Sequence, residues 1–247
     1  MSPEKGMIDA FGRTLMTYYR DGEAKYVIER DDGLRETLSA GEYFKEYNEW
    51  PRYERESIVE ARGRALDVGC GAGRAALWMQ RRGLEVVSID NSPLALRVAA
   101  LRGVKNCRLM DVRKLEFPAS YFDTIIMFGN NFGIAGEVEQ TRRVLRSLHH
   151  ITTEEGLIIA TSRDPLKTGN QAHLAYHERN RHRGRPPGLV TIRIGYQNEF
   201  NDWFDLLMAG EEEMREIIEP TGWTLERLYE SEVANYAVIL RKRSISY

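Results

Sequence analysis

The chain has 247 residues, 42% of them hydrophobic, and a formal net charge of −2 at pH 7. This length and apolar content predict one domain, 1–247, with a large core, and the charge gives no overall signal for nucleic acid or an anionic membrane surface. Cys70 and Cys107 lack the spacing of zinc ligands, and no leader or long apolar span is evident, so we expect a cytoplasmic protein that does not bind membranes.

Residues 1–62 predict a helical N-terminal cap. Apolar and aromatic positions in residues 1–20 are compatible with a short helix, and Tyr26–Ile28 with a brief extended piece. A second helix is expected over Ser39–Tyr47, where Ser39 would be the N-cap, and a third from Pro51 to Arg62.

Residues 64–163 alternate short apolar runs with helical patterns, which predicts a parallel sheet covered on both faces. We expect strands at 64–68, 84–89, 106–110, 124–128 and 157–161, and helices at 73–82, 93–101 and 137–150. Ser92 is the expected N-cap of the helix that Pro93 begins.

Three glycines follow the first of these strands, at Gly69, Gly71 and Gly73. They allow a sharp strand-to-helix turn and a close approach of the backbone to a ligand, while the free N–H groups of the helix favour an anionic group. A dinucleotide fingerprint needs glycines at the first, third and sixth positions, but the sixth position from Gly69 is Arg74. The spacing therefore weakens a nicotinamide-dinucleotide interpretation, and no phosphate loop ending in Gly-Lys-Ser/Thr is present.

The pattern Asp67-x-Gly69-x-Gly71-x-Gly73 resembles the first motif of the class I (Rossmann-like) S-adenosylmethionine-dependent methyltransferases, and the resemblance extends over about 64–163. It implies that this acid and these glycines hold the amino-acid end of the cofactor. Cys70, inside the turn, is expected to pack as a small residue and not to act as a nucleophile.

Two further acids stand where the family has its other cofactor ligands. The resemblance implies that Asp90, which closes the second strand with Asn91 beside it, binds the ribose hydroxyls. A carboxylate there can accept both hydrogen bonds of a diol. It also implies that Asp111, after the third strand, reaches the adenine amine, with Val112 packed on the ring.

The residues that close the fourth strand read Gly129-Asn130-Asn131-Phe132-Gly133, and in the family such residues face both cofactor and acceptor. The run departs from the Asn/Asp-Pro-Pro-aromatic motif of enzymes that methylate exocyclic base amines or glutamine amides, which counts against those substrates. Asn130 and Asn131 are expected either to bind a polar acceptor or to stabilise a turn, and we favour a site role for one of them. The cofactor site is thus predicted to contain Asp67, Gly69, Cys70, Gly71, Gly73, Asp90, Asn91, Asp111, Val112 and Gly129.

Residues 164–208 are too many for a plain connection and predict an inserted substrate-side segment. His173 and His177 lie four apart, so on a helix they share a face, where a neutral imidazole can accept a proton; no Glu completes a metal motif, and no metal is expected. Strand-like runs at 189–196, which includes Arg193, and at 200–207 are expected to extend the sheet or to form a lid or dimer contact.

Aromatic residues just before the cofactor strand, Tyr47 and Trp50 among them, have two interpretations. The resemblance suggests an N-terminal segment that folds over the bound cofactor, and the alternative is simple packing of helices on the sheet. The predicted substrate-side residues are Tyr47, Trp50, Asn130, Asn131, His173, His177 and Arg193.

Residues 209–247 predict a helix at 211–219 and a closing antiparallel pair at 223–229 and 236–240. The predicted fold class is therefore α/β: a doubly wound, mostly parallel seven-stranded sheet with an antiparallel C-terminal strand, an N-terminal helical segment and an inserted α/β lid.

The resemblance implies a methyltransferase that transfers the methyl group of S-adenosylmethionine by in-line displacement, and we expect the acceptor to be a small polar molecule. A tRNA or protein methyltransferase is an alternative that the basic run Arg179–Arg185 favours, although no RNA-binding module is recognisable. A nicotinamide-dependent reductase and a non-catalytic cofactor-binding subunit remain further alternatives. The sequence identifies no catalytic base and does not distinguish a monomer from a homodimer.

Overall fold

Residues 8–231 and 233–243, which the computed structural model describes, form seven α-helices and twelve strands. The helices are α1 (Ala10–Asp21), α2 (Arg52–Ile58), α3 (Arg74–Arg81), α4 (Pro93–Leu101), α5 (Val138–Ile151), α6 (Gln171–His182) and α7 (Glu211–Ile218). The strands are β1 (Lys25–Arg30), β2 (Arg35–Ser39), β3 (Arg64–Val68), β4 (Glu85–Asp90), β5 (Cys107–Leu109), β6 (Phe122–Met127), β7 (Thr152–Arg163), β8 (Leu189–Tyr196), β9 (Glu199–Phe200), β10 (Phe204–Leu207), β11 (Trp223–Glu230) and β12 (Asn235–Lys242). No helix in these two stretches combines the length and the apolar character needed to cross a bilayer.

Seven of the strands form the main sheet, in the order β11-β12-β7-β6-β3-β4-β5. Strand β12 runs antiparallel to both of its neighbours, while β3 to β7 are parallel. Alternate residues of β6 belong to different core clusters: Ile125 and Met127 pack with α5, and Ile126 packs with α3. Both faces of the sheet are therefore covered, which confirms the predicted doubly wound α/β fold with one antiparallel strand near its C-terminal end.

The remaining strands form a second, antiparallel sheet in the order β10-β8-β1-β2, and β9 pairs with β8. The extended piece predicted at Tyr26–Ile28 lies in β1. The inserted strand-like runs do not extend the main sheet, because β8 pairs with β1 from the N-terminal segment. Residues 1–62 thus contribute a β-hairpin as well as helices.

The prediction of a helix over Ser39–Tyr47 is wrong. The structure has two short 3-10 turns there, Ala40–Tyr43 and Tyr47–Glu49, although Ser39 does cap the first of them by accepting from the Gly41 N–H. Packing explains the break, since the Tyr43 ring lies against Phe11 and a continuous helix would carry it elsewhere. Helix α2 also ends before Arg62, because the Arg62 N–H bonds the Thr124 hydroxyl as the chain enters β3.

Candidate functional site

A cavity of about 1270 Å³ lies between the carboxyl edge of the main sheet and the second sheet. Its floor is made by the glycine turn after β3 and by the residues that end β4, β5 and β6. Its roof is made by β1, β2, β8 and β10. We call this space the central cavity.

The glycine turn is held in a backbone conformation that side chains oppose. Gly69, Gly71 and Gly73 all have positive φ angles, between 53° and 78°. A Cβ atom on Gly69 would lie 2.4 Å from the Asn131 amide nitrogen, so the residue must be glycine for a second, steric reason. Gly69 and Gly71 line the central cavity, whereas Cys70 and Gly73 are not on its wall.

Asp90 ties the end of β4 to that turn. Its carboxylate accepts from the Gly71 N–H at 2.9 Å with one oxygen and from the Ser92 N–H at 2.9 Å with the other. The side chain is 8% exposed and lines the cavity with Asn91. Burial raises the pKa of Asp90, and the backbone N–H donors oppose that rise.

Asp111 and Val112 lie on the same floor, beyond the end of β5. The Asp111 carboxylate forms a close ion pair with the Arg113 guanidinium, which lowers the pKa of Asp111. Asp111 therefore stays ionised and presents acceptor oxygens to the cavity.

Asp67 lies beneath the turn and not on the cavity wall. It is 3% exposed, and its Oδ2 atom has no hydrogen-bond partner among the described residues. Burial raises the pKa of Asp67 to about 7. This position differs from the ligand contact that the sequence suggested, because Asp67 faces inward, whereas Val68, Gly69 and Gly71 after it line the cavity.

The two asparagines that follow β6, Asn130 and Asn131, make different contacts. Gly129, Asn130 and Asn131 all line the cavity. The Asn131 amide donates to the carbonyl oxygens of Val68 and Gly69, at 2.9 and 3.2 Å, and so clamps the glycine turn. Asn130 has a φ of 64°, its backbone N–H donates to the Thr161 hydroxyl and its backbone carbonyl accepts from the Gly133 N–H, whereas its side-chain amide has no hydrogen-bond partner within the part of the chain that the structure describes.

The structure does not bring Tyr47 and Trp50 to the cavity. Tyr47 stacks on Trp78 with ring centroids 5.2 Å apart, and Trp50 is buried against Phe128, so both pack the N-terminal segment onto the α3 side of the sheet. Tyr43 and Tyr53 line the cavity instead. The aromatic composition predicted such a wall, but the irregular turns between residues 40 and 49 left no spacing from which to tell the two pairs apart.

Both predicted histidines of the insertion line the cavity, on one face of α6. His177 is 5% exposed, and its Nδ1 atom has no partner among the described residues. Burial lowers the pKa of His177, and His173, Arg181 and Arg30 nearby lower it further. Neutral imidazole is therefore the form expected at physiological pH.

Arg193 lies on the opposite face of the second sheet from the cavity. Its guanidinium pairs with the Glu29 carboxylate at 2.8 Å, whereas its neighbours Ile192 and Ile194 line the cavity. The predicted substrate-side position is therefore wrong, because strand alternation turns Arg193 outward.

Several wall residues were missed by the sequence analysis. A buried ion pair joins Arg74 to Glu54 at 2.6 Å, and both residues line the cavity. Asp9 caps α1 and also accepts from the Ser92 hydroxyl at 2.7 Å, which fastens the N-terminal helix beside Asp90. No sequence motif signals these contacts, since each joins segments that are remote along the chain.

Comparisons with known proteins agree with this geometry. Residues 66–160 match a family described as a methyltransferase domain. The chain is 30% identical over 124 residues to the phosphatidylethanolamine N-methyltransferase of Cereibacter sphaeroides, covering 47% of this chain and 59% of that protein. It is 28% identical over 169 residues to the ubiquinone biosynthesis O-methyltransferase of Marinobacter nauticus, covering 68% and 63%. The chain thus spans about three fifths of the length of these curated relatives.

A solved structure matches nearly the whole chain. It is a SAM-dependent methyltransferase from Bacteroides fragilis in complex with S-adenosyl-L-homocysteine, with a TM-score of 0.82 and 26% sequence identity. The match covers 97% of this chain and 98% of that one, so it includes the second sheet as well as the main sheet.

Proposed function

Because the chain belongs to the class I S-adenosylmethionine-dependent methyltransferases, we propose that it transfers a methyl group from S-adenosylmethionine to a nucleophile of a small molecule. When bound, the cofactor supplies an electrophilic methyl group on a sulfonium centre. The protein then has to hold the acceptor in line with that methyl group and exclude water.

One observation carries the proposal: two carboxylates from neighbouring strand ends, Asp90 and Asp111, line one cavity together with Gly69 and Gly71. Asp90 is fixed by backbone donors and is suited to a ribose diol. Asp111 is held ionised by Arg113 and is suited to an adenine amine, with Val112 available to the ring face. The glycine turn leaves room for the amino-acid end, and Asp67 is buried behind it.

The position of the cavity between two sheets supports a small-molecule acceptor. The roof of the second sheet lies over the floor, so an acceptor has to fit between the two sheets, which favours a small molecule over a folded nucleic acid or protein. The basic run that favoured nucleic acid is also largely neutralised, since Arg179 pairs with Asp31, Arg181 with Glu178 and Arg185 with Asp205. We further propose a cytoplasmic enzyme that is a monomer or homodimer.

The test uses the purified protein, methyl-labelled S-adenosylmethionine and a cell extract separated into small-molecule, RNA and protein fractions. Label in the small-molecule fraction is the expected result. Label only in RNA or in protein would instead support a macromolecular acceptor. Calorimetric titration with S-adenosylhomocysteine and with NADH completes the test, because tight NADH binding without S-adenosylhomocysteine binding would favour a reductase.

A further inference from the structure

The second sheet presents chemically different faces to the cavity and to the outside. Its cavity-facing positions are mostly apolar: Ile28, Leu34, Leu38, Val190, Ile192, Ile194, Phe204 and Leu206. Its outer positions alternate with these and carry polar and charged groups, among them Glu29, Arg35, Thr37, Thr191 and Arg193. A strand sequence that alternates in this way normally turns its apolar face to a packed core, but here that face borders a cavity.

Part of this apolar face is uncovered. Ile28 and Ile194, which pair across β1 and β8, are only half-buried, and Leu38 is 38% exposed. Apolar surface left in contact with water costs about 25 cal/mol per Å², so an apolar ligand on this face is favoured. The floor residues proposed for the cofactor lie on the main sheet, on the other side of the cavity.

Two of the polar groups on the cavity face are already engaged. The Arg30 guanidinium bonds the Asp32 carboxylate and the Ala172 carbonyl, and it lies over the Tyr176 ring. The Tyr26 hydroxyl is 3.0 Å from the Tyr43 hydroxyl. These groups therefore have their partners within the protein.

One histidine of α6 is different. His173 lies 3.8 Å from the Glu36 carboxylate, at the edge of the sheet. His177 is nine-tenths buried and borders the cavity, and neither of its ring nitrogens has a hydrogen-bond partner among the described residues. Its Nδ1 atom is fully buried, so Nε2 is the nitrogen that a ligand in the cavity can reach. A buried imidazole in that state can accept a hydrogen bond from a ligand.

We propose that the methyl acceptor has an apolar ring or chain body that lies on the inner face of the second sheet, and one O–H or N–H group that donates a hydrogen bond to His177. This inference rests on the proposed function and names the substrate class of the same cavity. It replaces the small polar acceptor that the sequence suggested with an amphipathic one.

The first experiment measures binding of 2-naphthol, an apolar bicyclic molecule with one hydroxyl, by its fluorescence in protein saturated with S-adenosylhomocysteine. Saturable binding is expected. Ile28→Asn should weaken it about tenfold, because a polar group then lies under the probe. Val27→Asn is the matched control, since Val27 is the adjacent half-buried β-branched residue of β1 on the outer face, and it should leave the affinity within about twofold.

The second experiment compares 2-naphthol with 2-methylnaphthalene, which lacks the hydroxyl. The wild-type protein should prefer 2-naphthol about fivefold, the size of one hydrogen bond. His177→Leu should remove that preference, and His182→Leu, on an exposed position of the same helix, should keep it.

Titration with S-adenosylhomocysteine in the same samples separates the two proposals. Failure of S-adenosylhomocysteine to bind would overturn the proposed function. Normal S-adenosylhomocysteine binding with no saturable naphthol binding, or with equal losses from Ile28→Asn and Val27→Asn, would overturn the apolar-acceptor inference alone. A naphthol preference that survives His177→Leu would overturn the role of His177.

Discussion

The two sheets of this protein border the same cavity in different ways. The main sheet is buried on both faces and meets the cavity only at its carboxyl edge, through the loops that follow β3, β4, β5 and β6. The second sheet meets the cavity with much of one face, part of which packs against Tyr176 of α6, and turns the other face outward. The loops at the sheet edge present backbone N–H groups and carboxylates at fixed positions, whereas a sheet face presents an extended apolar contact surface.

This difference implies that the two proposed ligands are recognised in different ways. The cofactor would be held by a few charge-assisted hydrogen bonds at strand ends, where one substitution has a large effect. The acceptor would be held by distributed apolar contact, where single substitutions have smaller effects and where the shape of the face can vary without loss of the cofactor.

The largest effect is expected at Asp90. Asp90→Asn should weaken S-adenosylhomocysteine binding about 100-fold in calorimetric titration, because a buried carboxylate that also holds the Gly71 N–H is lost. Asp202→Asn, at an exposed rim carboxylate on the second-sheet side, should change the affinity by less than about twofold. Equal affinities of Asp90→Asn and wild type, with the fold intact, would contradict the contrast between the sheets.

The next largest effect is expected at Gly69. Gly69→Ala should lower both the stability and the affinity for S-adenosylhomocysteine, the latter about tenfold, because the new methyl group would displace the Asn131 clamp. Gly83→Ala is the control: Gly83 also has a positive φ, but its Cβ would meet open space, so about 1 kcal/mol of backbone strain is its whole cost. Identical melting temperatures and affinities for the two variants would show that the clamp has no importance.

Asp67 gives a pH-dependent test of the main sheet. Its pKa rises from 3.8 to about 7 on folding, so the folded state binds the proton more tightly, and the carboxyl reduces stability progressively as pH rises from about 4 to about 7. Asp67→Asn should remove this loss. In urea unfolding, the free energy of unfolding of the variant should therefore rise relative to that of wild type between pH 5 and pH 8. A difference in unfolding free energy between Asp67→Asn and wild type that stays constant over that range would argue against a buried carboxyl.

The smallest effect is expected on the outer face of the second sheet. Arg193→Gln should leave the affinities for S-adenosylhomocysteine and 2-naphthol within about twofold of wild type, because its guanidinium faces Glu29 and not the cavity. Loss of more than tenfold in either affinity would return Arg193 to the substrate side.

The sequence predicted the main sheet well because its signals are local. Asp90 and Asp111 follow apolar runs, and the carboxyl ends of parallel strands meet at one edge, so their common position on the cavity floor could be foreseen. Their roles toward the cofactor remain predictions. Asp67 belongs to the same motif, but its burial beneath the turn depends on how the helix start closes over it.

The second sheet could not be predicted because its pairing is not local. Alternation along 189–196 indicated a strand with two faces, but which face borders the cavity depends on β1, and this is why Arg193 was assigned to the wrong side. Tyr47 and Trp50 were misplaced for a related reason, since in short 3-10 turns the spacing of residues no longer predicts a shared face.

The pairing of β1 with β8 also has a consequence for folding during synthesis. Arg30 is opposite Ile192, about 160 residues later in the chain. At a synthesis rate of about 5–20 residues per second, the N-terminal hairpin emerges from the ribosome roughly 8–30 seconds before its partner strand. During that interval the edge of β1 has no β8 to pair with, and the apolar face that carries Ile28 and Leu38 is uncovered. The nascent chain therefore exposes an unpaired strand edge of the kind that chaperones recognise.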